Sequence, residues 1–205
     1  MNYLSLIAFT ITTCGTPGPN NTMVMASGAN YGPRRSLPHV VGINVGFPLM
    51  VIAVGLGLGE VLHRWPVVYD VLRPVGVLYL LYLAYRIAGS RVIAKDPVDA
   101  RPLSLAQSAL FQVVNPKAWV MVVGAVTAYA TADGNYAVQV VEIALVFLVL
   151  GTPCTVAWML GGALLGRVVM KPAQFRAFNV VMASLLVLSL IPVLIETIDA
   201  WSKRL

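Results

Sequence analysis

Two prolines interrupt the first apolar stretch of the chain, and this interruption limits what the chain can fold into. Residues 4–25 form an apolar run that contains the sequence TPGPNN at positions 16–21. Proline lacks a backbone N–H, and its ring clashes with the carbonyl one turn earlier, so a helix cannot continue through Pro17 and Pro19. We therefore predict two half-helices, separated by a break at Pro17, Gly18 and Pro19.

The composition indicates that this break lies in a membrane. Of the 205 residues, 59% are apolar and 11% are charged, and the mean hydropathy is +0.82. These values exclude a soluble globular domain. In hydrocarbon, non-helical backbone is tolerated only where it is buried in protein or lines a polar cavity. The break is therefore a candidate functional site.

Six apolar runs follow one another along the chain, each long enough to cross about 30 Å of hydrocarbon as a helix. They are residues 4–25, 37–59, 67–88, 105–129, 137–165 and 177–198. The longest polar link, residues 89–103, separates a first repeat (about 1–88) from a second (about 104–205). We predict an all-α integral membrane protein with six transmembrane helices in a single domain covering residues 1–205.

A second proline break falls in the fourth run, at Asn115-Pro116-Lys117. It lies in the first helix of the second repeat, as Pro17 lies in the first helix of the first repeat. Because three spans is an odd number, the second repeat enters the membrane from the opposite side. We predict two inverted three-helix repeats with helices 1 and 4 broken at prolines, a pattern that indicates a transporter's substrate site. Ordinary proline kinks are the alternative.

Lys117 is the one ionisable side chain that the spacing places near the middle of the bilayer. If the fourth helix enters near Ser108, nine residues at about 1.5 Å each bring Lys117 close to half depth. An isolated ammonium there costs at least about 2.5–3.5 kcal/mol, so it needs a partner. Candidate partners are the carbonyls released by the prolines, the amides of Asn20, Asn21 and Asn115, and a substrate carboxylate.

The two ends of the first break favour opposite charges. The half-helix after Pro19 presents unpaired N–H groups and the positive end of its dipole to an anion. The last carbonyls of the preceding half, around residues 13–15, can accept from a cation. A small zwitterion such as an α-amino acid satisfies both ends. The predicted substrate-binding residues are Thr16, Asn20, Asn21, Asn115 and Lys117, with Pro17, Gly18, Pro19 and Pro116 shaping the breaks.

The basic residues indicate the orientation. Nine of the fourteen Lys and Arg fall on one side, in the links after the first, third and fifth runs, and four fall on the other. The positive-inside rule makes the nine-residue side cytoplasmic, so both termini face outward. Because these charges form no continuous basic stripe, we expect a lipid bilayer and not a nucleic acid as partner.

Small residues spaced along two of the runs predict close helix packing. Gly42 and Gly46 lie four apart in the second run, and Gly161, Gly162 and Gly166 lie late in the fifth. Such spacing lets helix backbones approach closely in lipid. It permits a homodimer but does not require one.

Enzyme signatures are absent from the sequence. His39 and His63 are too far apart along a helix to share a metal, and there is no nucleophile elbow, phosphate-binding glycine loop or CxxC motif. We expect no catalytic activity, no cofactor and no metal. The alternative from another class is a membrane thiol–disulfide conduit that uses Cys14 and Cys154, both near prolines, although buried hydrophobes are the simpler interpretation of both. An ion or water channel is a further alternative.

Several motifs carry a resemblance to a known family. They are TPGPNN at 16–21, GPRRS at 32–36 leading into GINVG at 42–46, GVLYLLYLA at 76–84, and NPK at 115–117. With these the chain resembles the lysine-exporter and homoserine/threonine-resistance (LysE/RhtB-type) family of bacterial amino-acid efflux proteins. Within the family, the closest resemblance is to the cysteine/O-acetylserine exporter subgroup, and it is carried by Asn20-Asn21, residues 83–88, Trp158 and Phe178-Asn179. The resemblance implies six helices in the bacterial inner membrane and export driven by the proton-motive force.

Overall fold

Every regular element in the described part of the chain is helical. The computed structural model describes residues 1–58, 66–89, 101–131, 135–167, 172–188, 191 and 195, with side chains except at 58, 66–76, 172 and 175. The helices are α1 (Tyr3–Gly15), α2 (Pro19–Ala53), α3 (Pro66–Ala88), α4 (Leu105–Val114), α5 (Pro116–Tyr129), α6 (Tyr136–Arg167) and α7 (Pro172–Leu188). One π-helical turn, Val54–Leu58, continues α2. The all-α prediction is confirmed for these segments.

Two helices in the described part are long and apolar enough to cross a membrane, namely Pro19–Gly57 and Tyr136–Arg167. The pair α4 and α5 adds a third candidate if it is counted as one span, bent by 70°. The division into six spans and two inverted repeats stays a prediction. Residues 90–100 of the predicted link lie outside the described residues. So do residues 189–198 of the sixth run, apart from 191 and 195.

A single glycine divides α2 into two arms. Gly32 has φ 76° and ψ 169° inside α2, a positive φ that glycine adopts without steric cost. The Oγ atoms of Ser27 and Ser36 lie 2.9 Å apart across this point, whereas nine residues of straight helix would separate them by about 13 Å. The first arm (19–31) and the second arm (33–53) therefore fold back towards each other. The predicted polar link between the first two runs is helical apart from Gly32.

Glycines bring the first arm of α2 and α6 into backbone contact. A Cβ added at Gly162 would overlap the backbone of Met25, and one at Gly166 would meet the backbone of Ala29. Close approach of small residues replaces the hydrophobic drive that membrane helices lack. Gly161 has no atom within 4 Å of its Cβ position. The predicted packing role is thus confirmed for Gly162 and Gly166 and is wrong for Gly161.

The second arm of α2 packs against α4 in the same way. A Cβ at Gly42 would overlap the Leu105 carbonyl and the Ser108 side chain, and one at Gly46 would overlap the backbone of Ala109. These glycines therefore serve a contact within the chain. The homodimer that their spacing permits stays a prediction.

A buried apolar cluster holds the half-helices in place. It joins α1, the second arm of α2, α5 and α6, and its members include Leu6, Phe47, Met121, Val122 and Phe147. A second cluster joins α3 and α7 to Met23 of the first arm and Phe111 of α4. Both breaks are thus flanked by helices whose positions are fixed by side-chain packing.

Candidate functional site

The first break is a three-residue gap between two helices. α1 ends at Gly15 and α2 begins at Pro19, so Thr16, Pro17 and Gly18 are not helical. Pro19 opens α2, where its missing N–H leaves no hydrogen bond unmade. Gly18, the N-cap, gives no side-chain hydrogen bond to the first turn. The break therefore leaves a helix N-terminus uncapped by its own N-cap residue.

The second break consists of one residue. α4 ends at Val114 and α5 begins at Pro116, and the helices bend by 70° at Asn115. The Asn115 N–H donates to the Gln112 carbonyl at 3.3 Å, and its Oδ1 accepts from the Lys117 N–H at 3.2 Å. Asn115 thus ends one half-helix and caps the next, and it is 2% exposed.

Lys117 joins the two breaks. Its Nζ donates to the Thr16 carbonyl at 2.8 Å, to Thr16 Oγ1 at 2.9 Å and to the Pro17 carbonyl at 3.3 Å. These three acceptors match the three N–H donors of an ammonium group. The position also places a cation at the negative end of the α1 dipole. The structure therefore gives Lys117 the partners that the sequence predicted from the proline break.

Carbonyls at the end of α1 are already occupied. Asn21 Nδ2 donates to the carbonyls of both Cys14 and Thr16, at 2.8 and 2.7 Å. Thr16 Oγ1 donates to the Thr13 carbonyl at 3.0 Å, and Trp158 Nε1 donates to the Gly15 carbonyl at 3.3 Å. Each of these carbonyls therefore has a side-chain donor, and binding of a substrate cation by the carbonyls of residues 13–15 stays a prediction.

An amide pair links the breaks a second time. Asn20 Nδ2 donates to Gln112 Oε1 at 2.8 Å, and Gln112 Nε2 donates back to Asn20 Oδ1 at 3.2 Å. Gln112 is fully buried and also donates to the Ser108 carbonyl at 2.9 Å. The sequence analysis missed Gln112. The available signal was an amide three residues before Asn115, on the same helix face.

A cavity opens where the breaks meet. It encloses about 510 Å³ of space, part of it open to the outside. Of the predicted residues, Asn20, Asn21, Asn115 and Lys117 line it, whereas Thr16 contributes through its bonds to Lys117. The remaining lining residues are Thr13, Cys14, Gly18, Ile43, Asn44, Phe47, Pro48, Ala118, Met121, Phe147, Gly151 and Thr155.

Asn44 and Thr155 are two further polar residues that line the cavity, and neither was predicted from the sequence. Thr155 Oγ1 donates to Asn44 Oδ1 at 3.3 Å, and both side chains are buried. Asn44 Nδ2 donates to the Val40 carbonyl at 2.9 Å. These two neutral side chains therefore line a cavity whose charged group, among the described lining residues, is the ammonium of Lys117.

Comparison with known proteins identifies the family of the chain. Residues 11–196 match the LysE type translocator family. The chain belongs to this family. Cysteine/O-acetylserine efflux proteins of Escherichia coli strain K12 and Shigella sonnei strain Ss046 are each 30% identical to it over 180 residues, which cover 87% of this chain and 90% of each relative. No solved structure matches the chain significantly.

Membership of the LysE-type translocators decides between the classes left open by the sequence. The chain is a multi-pass membrane transport protein and not an enzyme. Its two cysteines are free thiols that line different cavities. Cys14 lines the cavity between the breaks, whereas Cys154 lines another, beside Trp158 and Gly161. Membership of an exporter family, and not the position of the two thiols, is what decides against the thiol–disulfide conduit.

Proposed function

We propose that this LysE-type translocator exports small neutral amino acids or their close derivatives from the bacterial cytoplasm. The observation that carries the proposal is the polar cavity at which two helix breaks meet across Lys117. The relatives named as cysteine/O-acetylserine efflux proteins support this substrate class. Cysteine and O-acetylserine are therefore the first substrates to test.

The carboxylate of the substrate binds between Lys117 and the start of α2. An uncapped helix N-terminus attracts an anion through its N–H groups and its dipole. Lys117 supplies a full charge at the same place, and a charge-assisted hydrogen bond is about twice as strong as a neutral one. On binding, the ammonium of Lys117 exchanges at least one of its backbone acceptors at Thr16 and Pro17 for a carboxylate oxygen.

The ammonium of the substrate faces the oxygens of Asn44 and Thr155, which line the same cavity as Lys117. The substrate's own side chain contacts Phe47, Met121 and Phe147, the large apolar residues of the lining. This arrangement suits a short uncharged side chain.

Charge selects against cationic amino acids. The described residues that line the cavity include Lys117 and no carboxylate. A second positive charge on the substrate would therefore be desolvated beside an ammonium without a counter-ion. We expect transport of cysteine and O-acetylserine and exclusion of lysine and arginine.

Transport requires that the two halves of the chain, each carrying one helix break, move relative to each other. We take the chain as two inverted three-helix halves, with the nine-residue basic side in the cytoplasm and both termini outside. The bonds from Lys117 to the first break and from Asn20 to Gln112 hold the halves together in this conformation. Rocking of one half against the other opens the cavity alternately to each side. The proton-motive force drives the cycle.

Efflux from cells that express the chain tests the proposal. Cells are loaded with single amino acids, and extracellular accumulation is measured for wild type and Lys117→Met. We expect wild type to export cysteine and O-acetylserine, and the variant to lose about 100-fold of the rate because the carboxylate loses its charged partner. Val120→Met, at a site 73% exposed on the same helix, is the control. Wild-type rates in Lys117→Met at equal abundance would overturn the proposal.

A further inference from the structure

A second polar cavity lies further along the first arm of α2. We call it the inner cavity and define it by its polar lining residues, which are Ser27, Asn30, Tyr31, His39, Arg86 and Arg101. It holds about 510 Å³ of space, part of it open to the outside. Its walls come from both arms of α2, from α3 and from the segment that leads into α4. No residue of the inner cavity lines the cavity between the breaks.

His39 is the residue of the inner cavity that indicates a bound ligand. The side chain is 2% exposed, and neither ring nitrogen has a hydrogen-bond partner among the described residues. Buried polar groups are almost always hydrogen-bonded, so each exception requires an explanation. An ionisable residue within a membrane span indicates a functional site. A bound ligand would supply the missing partner.

The charges around His39 indicate the chemistry of that ligand. Arg86 near the end of α3 and Arg101 before α4 line the same cavity, and no carboxylate is among its described lining residues. Asn30 already exchanges hydrogen bonds with Asn179 at 2.9 and 3.3 Å. The donors left for the ligand are therefore the guanidinium of Arg101 and an imidazole N–H of His39, beside the positive charge of Arg86. This combination fits a small anionic group such as a carboxylate.

The position of the inner cavity relates it to the transport path. Asn20 lines the cavity between the breaks, and Met23, one turn along the same arm, lines the inner cavity. The hydrogen-bonded pair of Asn20 and Gln112 stands at this end of the arm. Arg86 and Arg101 belong to the nine basic residues on the side that we propose to be cytoplasmic.

We propose that the inner cavity is a second substrate site, where Arg101 and His39 hold the carboxylate of a cytoplasmic amino acid, beside the positive charge of Arg86, before it passes the Asn20–Gln112 pair. This inference rests on the proposed function and deepens it. A phospholipid phosphate shares the anionic chemistry of a carboxylate, and the experiment separates the two sources.

Inside-out membrane vesicles expose the cytoplasmic side, so uptake of labelled O-acetylserine measures the half-saturating concentration on that side. We expect Arg101→Gln and His39→Leu each to raise this concentration about tenfold, with the maximal rate within about twofold of wild type. Lys117→Met lowers the maximal rate instead. Arg34→Gln is the control, because Arg34 is an exposed arginine of the same segment and does not line the inner cavity.

Unchanged half-saturation in both Arg101→Gln and His39→Leu would overturn the second site and leave the proposed function intact. Absence of uptake in wild-type vesicles would instead overturn the proposed function. The lipid source is tested with purified protein in phosphatidylcholine liposomes with and without phosphatidylglycerol. A wild-type rate that requires phosphatidylglycerol, with Arg101→Gln insensitive to it, would assign the cavity to a lipid and contradict the proposal.

Discussion

The two helix breaks solve the same backbone problem in different ways. At the second break Asn115 caps both half-helices from within one residue, and the break is closed. At the first break three residues separate the helices, and the carbonyls of Thr16 and Pro17 accept hydrogen bonds from Lys117 of the second break. The first break is thus open and depends on a partner, whereas the second supplies that partner. A substrate carboxylate can compete with the carbonyls of Thr16 and Pro17 for the ammonium of Lys117.

Crowding the first break should have the largest effect. A Cβ at Gly18 would lie 2.6 Å from Lys117 Cδ, whereas a Cβ at Gly15 has no atom within 4 Å. Because Gly18 has φ 179°, alanine fits its backbone, and the substitution acts on the lysine. We expect Gly18→Ala to lower efflux about 10- to 100-fold by displacing the ammonium, and Gly15→Ala to retain it. Equal rates in the two variants would show that the position of Lys117 does not matter.

The support behind the first break can be tested by a second glycine pair. Gly162→Ala forces a Cβ into the backbone of Met25, whereas Gly161→Ala enters open space. Overpacking of this kind costs about 1–3 kcal/mol, so Gly162→Ala should unfold at a lower temperature in detergent and Gly161→Ala should not. The opposite order would mean that α6 and the first arm of α2 pack through another face.

Removing the cap of the second break should have the smallest effect. Asn115→Ala leaves the first turn of α5 without its side-chain acceptor, a loss of about 0.5–2 kcal/mol. Asn115→Asp keeps an acceptor at the same place and should recover much of the thermal stability. If Asn115→Ala abolished transport while leaving stability unchanged, the second break would have the open, ligand-binding role that we assign to the first.

The sequence was sufficient for features that local chemistry dictates. Prolines fix both breaks, and the cost of an isolated ammonium in hydrocarbon requires that Lys117 have a partner. Of the candidates that the sequence left open, the structure gives it the carbonyls at the first break. The partners that the sequence did not predict depend on how helices rotate against one another. Gln112 reaches Asn20 across 92 positions, and Trp158 reaches the Gly15 carbonyl across 143.

The polar link is instructive for a different reason. Residues 26–36 contain Pro33 and two arginines, a composition typical of a loop. The structure keeps these residues helical apart from Gly32, since proline is tolerated in the first turn of a helix. Composition therefore located the turn, while the backbone preference of one glycine determined its length.

Protection of Cys14 from alkylation tests the central claim most directly. Cys14 lines the cavity between the breaks and Cys154 does not, so a Cys154→Ser background leaves one reporter thiol. O-acetylserine, which has no thiol of its own, should slow maleimide labelling of Cys14 at saturating concentration, and Lys117→Met should abolish this protection. Labelling that O-acetylserine leaves unchanged in the parent, or protection that persists without Lys117, would contradict a substrate carboxylate bound where the two breaks meet.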